Sequence, residues 1–171
     1  MESAKLKDIT EKAANLAWKY EQQYGGCGQV ALAALKETVG RDKISDDVFQ
    51  AATGMAGGVG RCGYACGALN GSVAALSCFW GRPYDDFADP EKRRAKTLNM
   101  AKALVKKFEA EYGSADCRAV QTKIMGRSYD ISIPEEMEQF VKDGGHDDKC
   151  PSVCANAVRW AIEILNDECL I

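Results

Sequence analysis

The chain has 171 residues, 46% apolar and 27% charged, with a net charge of −3. That is the length of one domain with enough apolar material for a real core, and the acidic balance excludes the basic face that a nucleic-acid binder needs. Its eight cysteines, with no apolar leader or membrane-length run, suggest a cytoplasmic protein whose cysteines serve metal or redox chemistry rather than a disulfide framework.

The apolar spacing is helical in nearly every segment. In residues 4–20, Leu6, Ile9, Ala13, Leu16 and Tyr20 share one face, and Gly25-Gly26 break the pattern. Cys27 to Val39 is apolar on most sides, which predicts a buried helix that Gly40 ends. Ser45 and Asp46 open a helix carrying Val48, Phe49 and Ala52, closed by Gly54. After a glycine-rich loop, Cys66 to Trp80 predicts a helix whose small residues suit a close helix neighbour. "GRPYDDFADPEKR" is a connector. The cluster Lys92, Arg93, Arg94 and Lys96 reads as the solvated start of a long helix through Leu98, Leu104, Phe108 and Tyr112, ended by Gly113. Ser114 is the predicted N-cap of a short helix holding Cys117. "YDISI" alternates but has no partner strand, so it is expected as extended loop. Pro134 opens the next helix, "GGHDDK" is expected as a loop, and Val158, Ala161, Ile162 and Leu165 mark a final helix. The expected fold is all-α: one domain over residues 1–171, a helical bundle with the glycine-rich loop between helices.

That loop, "GRCGYACGALNG" at residues 60–71, is the most unusual stretch. Gly58 to Gly63 matches GxGxxG, but the dinucleotide fingerprint needs a strand before it and an acid on a second strand after it. A helix precedes it here, and no Gly-Lys-Ser/Thr follows for a phosphate loop. Glycines permit positive φ and close packing. The loop is therefore either a sharp turn between packed helices or a backbone wrap around a cofactor. Arg61, between Gly60 and Cys62, is expected to bond turn carbonyls or to compensate thiolate charge.

Cys27, Cys66, Cys117 and Cys154 each fall in or near the first turn of a predicted helix. A helix start favours thiolate, the form that attacks disulfides and binds metals. Any one of them can be an ordinary core residue; the set of four points to a shared site. The pairs Cys62 with Cys66 and Cys150 with Cys154 are both CxxxC. Neither is CxxC, which removes the thioredoxin pattern, and no CxxCH is present for covalent haem. The single histidine, His146, excludes a zinc site of two cysteines and two histidines and leaves one of three cysteines and one histidine open. In its polar surroundings it reads as a solvated loop residue.

The motif Cys66-Gly67-Ala68-Leu69-Asn70-Gly71, with Cys27 upstream and Cys117 and Cys154 downstream, resembles the C-GCAxxG-C-C family of redox-active proteins. The glycine run with Gly57, Gly58, Gly60 and Arg61, and Gly81-Arg82 after the motif helix, also resemble that family, over residues 27 to 165. A similar domain in split-Soret cytochromes accompanies haem and an iron–sulfur centre; without haem attachment sites, only the iron–sulfur part carries over. The resemblance implies Cys27, Cys66, Cys117 and Cys154 as metal ligands, with Cys150 and Cys62 as alternates. It also implies Cys27 and Cys66 as redox-active thiols, and Gly58, Gly60, Arg61, Gly63 and Gly67 as the cofactor-binding wrap. Cys78 and Cys169 fall outside the pattern.

Three functions follow. The first is electron transfer through an iron–sulfur cluster held by four thiolates. The second is thiol–disulfide exchange, with Cys66 attacking and a second cysteine resolving. The third is a non-catalytic protein that holds zinc through four cysteines. The expected partners are a redox partner protein and a second copy of the chain in a homodimer, with neither nucleic acid nor a membrane.

Overall fold

A computed structural model describes residues 3–171 and contains helices α1 (Ser3–Tyr24), α2 (Cys27–Thr38), α3 (Asp46–Ala51), α4 (Gly67–Trp80), α5 (Arg93–Tyr112), α6 (Cys117–Met125), α7 (Pro134–Lys142) and α8 (Cys150–Asp167). Among the described residues there is no strand, only one isolated antiparallel bridge between Ala65 and Asp116. The all-α expectation holds. No helix among them is long and apolar enough to cross a membrane.

The core forms around α8, which packs against α1, α2, α4 and α5. Its stripe Val158, Ala161, Ile162 and Leu165 is fully buried, together with Leu32, Leu35, Leu76, Leu104 and Phe108 from the helices around it. The α2–α4 pairing is a backbone-to-backbone contact. A β-carbon on Gly71 would run into the Gly28 carbonyl, and one on Gly28 would meet the Met55 side chain at 2.8 Å. Gly71 needs glycine because the helices approach there more closely than a side chain permits, and Gly28 because the turn at Ala52–Met55 lies against it. The small residues of α4 serve the close contact that the sequence suggested.

Several boundaries differ from expectation. The cap of α6 is Asp116, not Ser114; the Ser114 hydroxyl accepts from the Asp116 N–H at 3.1 Å and forms the turn before the helix. "GGHDDK" is no loop: Gly145–Lys149 is a π-helical turn that runs straight into α8. This moves the start of α8 to Cys150 and puts Cys154 in the second turn instead of the first.

The glycine-rich loop contains a rare feature. Gly57, Gly58, Val59, Gly60 and Arg61 all have φ between 61° and 73°, a consecutive left-handed turn. Two of these residues carry side chains that disfavour that region. The turn is pinned by backbone bonds, among them Gly60 N–H to the Gly54 carbonyl at 2.8 Å and Tyr64 N–H to the Gly58 carbonyl at 3.0 Å. Glycine is required at Gly58 on two counts, since φ is 73° and a β-carbon would strike the Tyr64 backbone.

Candidate functional site

Reciprocal backbone bonds join two of the cysteine-bearing helix starts. Cys66 N–H donates to the Ala115 carbonyl at 2.8 Å, and Cys117 N–H donates to the Tyr64 carbonyl at 2.7 Å. The same bridge therefore holds the heads of α4 and α6 side by side. Cys27, at the head of α2, enters through the close α2–α4 contact: a β-carbon on Gly67 would collide with its sulfur. In the CGAxxG motif, Gly67 thus makes room for a thiol, Gly71 for the α2 backbone, and Ala68 is fully buried between them.

These elements enclose a cavity of about 190 Å³ lined by Cys27, Cys66, Cys117, Cys150 and Cys154. Five thiols from the heads of four helices line it, although long stretches of sequence separate those helix heads. Cys150 and Cys154, read as rivals for one place, both line it. Arg61 and Gly57 complete one wall, and Glu21, Gln121 and His146 add polar groups to the others.

The remaining cysteines stand apart. Cys62 is exposed, and its thiol reaches only the Gly60 carbonyl at 3.7 Å. Cys169 is exposed, and Cys78 is half-buried against the core. None of the three lines the cavity. Gly58, Gly60, Gly63 and Gly67, expected to contact a cofactor, do not line it either. Gly58 packs on the Cys117 β-carbon, Gly63 lies under Arg118, and Gly60 faces open space. Their contribution is the course of the backbone.

The electrostatics reverse one expectation. Burial pushes the Cys66 and Cys117 thiols up to about 12 and raises Cys27, Cys150 and Cys154 well above the ordinary thiol range. The Glu21 carboxylate raises all five further, and they also raise one another. Backbone N–H groups act in the opposite sense, from Gly57 and Gly28 on Cys27 and from Ala68 and Leu69 on Cys66. Desolvation outweighs them. Without a cation, the site holds neutral thiols despite the helix starts. A bound metal inverts this, because a coordinating thiol is deprotonated outright.

Three polar residues of the cavity carried no signal in the sequence. Glu21 is only 2% exposed, and its Oε2 has no hydrogen-bond partner. Gln121, also buried, donates to the Cys117 sulfur at 3.6 Å and accepts from the Tyr129 N–H at 2.8 Å. His146 is not the solvated residue expected. It lines the cavity, stands edge-on to the buried Phe140 ring at 5.2 Å, and places Nδ1 3.6 Å from Glu21 Oε1. Arg61, expected to bond turn carbonyls or to compensate thiolate charge, bonds no carbonyl through its guanidinium, which has no hydrogen-bond or ion-pair partner among the described residues; the residue is exposed and contributes to the cavity lining.

The donor set fits a metal-bearing group: soft thiolates, an imidazole, and an orphaned buried carboxylate that calls for a cation. Among the described residues, no three His, Cys, Asp or Glu side chains gather closely enough to hold a single metal ion. The thiols stand around a volume.

A family model described as "Putative redox-active protein (C_GCAxxG_C_C)" matches residues 25–165. A protein of Archaeoglobus fulgidus named "Uncharacterized protein" is 24% identical over 161 residues, covering 92% of this chain and 96% of its own. No solved structure matches.

Proposed function

The chain belongs to the C_GCAxxG_C_C family of redox-active proteins, and from that premise we propose that its cysteine cavity binds an iron–sulfur cluster and exchanges single electrons with a redox partner protein. The observation that carries this reading is the meeting of five thiols on one cavity of about 190 Å³. That volume is below the roughly 300–1,000 Å³ of pockets built for organic ligands. Thiols spread around a volume suit a polyatomic group, whereas a zinc site of four cysteines would draw them to one point at about 2.3 Å from the metal.

When bound, the cluster supplies reversible storage of one electron. The chain does the rest. Cys27, Cys66 and Cys117, with Cys154 or Cys150, supply the thiolates. The N–H groups at the heads of α2 and α4 lower the charge on the sulfurs and favour the reduced state. Arg61, an unpaired cation on the cavity wall, offsets the added negative charge, and the buried walls of α4 and α8 keep water from the sulfurs. A cluster so held would let the chain take one electron from a donor protein and pass it to an acceptor, with no proton or group transferred.

A second reading has one observation in its favour. All eight cysteines are free, five of them on the one cavity. Cys66 and a neighbouring cysteine would then exchange two thiols for one disulfide, passing two electrons and two protons to a disulfide substrate. An absorption spectrum of protein purified without oxygen, with iron and sulfide analysis, separates the readings. The cluster reading predicts a brown protein with iron and acid-labile sulfide. A colourless protein with neither, even after supply of both, refutes it.

A further inference from the structure

We propose that His146 supplies a nitrogen ligand, through Nε2, to the metal group of the cysteine cavity, and that Glu21 is the positioning residue that aims it. The proposal rests on the cluster reading above and changes its ligand set from all-thiolate to mixed thiolate and imidazole.

Among the described residues, two of the four buried side-chain polar atoms without a partner belong to this pair, Glu21 Oε2 and His146 Nδ1. A buried carboxylate left unsatisfied costs on the order of several kcal/mol unless something pairs with it. A plain ion pair would have closed to about 2.8 Å with its oxygens satisfied. Instead Nδ1 lies 3.6 Å from Oε1, just beyond hydrogen-bond reach, and both groups face the cavity. A small turn of either side chain makes Nδ1–H donate to Glu21. That fixes the tautomer and leaves the lone pair on Nε2. A carboxylate holding the far nitrogen is the usual support for a metal-ligating histidine.

The ring is held for such a task. Phe140 meets it edge-on at 89°. Gly145 has no side chain because a β-carbon would strike the Phe140 ring. Nε2 lies on the side of Gly25, where a β-carbon would be 3.9 Å from it, at the corner leading into Cys27. His146 sits on the π-helical turn that continues into Cys150, and such turns recur at functional sites.

Charge supplies the remaining argument. Four thiolates beside the buried Glu21 would concentrate negative charge in one buried volume. A neutral imidazole in place of one thiolate removes a negative charge from that set.

The test is pulsed electron paramagnetic resonance on full-length protein reconstituted anaerobically with iron and sulfide, in its paramagnetic oxidation state. The expected result is coupling to a directly bound ¹⁴N nucleus in the wild type and its disappearance in His146→Ala, with circular dichroism showing the helices retained. Glu21→Gln, nearly isosteric, should keep the nitrogen signal and lose iron to a chelator roughly 10-fold faster. A cluster without nitrogen coupling, or one with the same spectrum in His146→Ala, overturns this proposal and leaves the cluster reading standing. Failure to take up iron overturns both.

Discussion

At the scale of single residues, the site depends on positions that work against local preference. Val59 holds φ at 62° although it is β-branched and half exposed. Left-handed backbone costs such a residue about 1–2 kcal/mol, and a glycine returns about 0.5–1 kcal/mol of that as unfolded-chain entropy. Val59→Gly should therefore stabilise the protein, by up to about 1 kcal/mol in urea unfolding, because little packing is lost. Equal or lower stability would mean that the valine makes contacts that outweigh the strain. The thiols divide as sharply. Mass spectrometry of the metal-free protein after brief alkylation at neutral pH should find Cys62 and Cys169 modified first, since both are exposed, and the cavity thiols protected by burial and protonation. Rapid labelling of Cys66 would contradict the enclosed site. The cysteines were legible in the sequence because thiols are scarce and the motif is specific. Glu21 was not, because one acid on a charged amphipathic helix looks like every other. His146 was hidden by its polar neighbours, which say nothing of the Phe140 ring that it meets.

At the scale of elements, helix periodicity gave nearly every helix, because all but the short α3 have a buried face, and α3 still packs Val48 and Phe49 against the core. The head of α8 escaped because a π-helical turn has no apolar period of its own, and glycines beside charged residues resemble a loop. The left-handed turn at 57–61 escaped because Val59 and Arg61 are not residues that announce positive φ. The α2–α4 contact gives the most direct prediction about packing. Gly71→Ala drives a methyl group into the Gly28 carbonyl, so the helices must separate. Over-packing of this kind costs about 1–3 kcal/mol, which should appear as a lower melting temperature. Gly67→Ala acts on the site as well, because its methyl group displaces the Cys27 sulfur; iron retention should fall more than stability does. If Gly71→Ala melts like the wild type, the close contact is not what joins Cys27 to Cys66.

For the whole molecule, the buried thiols tie stability to pH. Cys66 and Cys117 ionise only at about 12 in the folded, metal-free chain, against about 8.5 when unfolded. Above about pH 8.5 the unfolded chain loses these protons first, so it binds fewer protons and stability falls as pH rises. The contribution is complete below about 8.5, shrinks steadily above it and is gone above about 12. Urea midpoints of the reduced, metal-free protein should thus be level around neutrality and drop at about pH 10. Level midpoints across that range would show that these thiols are not buried. The central claim is that one cavity gathers cysteines from across the chain to hold one cluster. Iron and sulfide content of two double variants, Cys66→Ala with Cys117→Ala and Cys78→Ala with Cys169→Ala, each reconstituted beside the wild type, tests it most directly. The account predicts that the first pair loses the cluster and the second keeps the wild-type complement; a cluster kept by the first pair, or lost by the second, contradicts it.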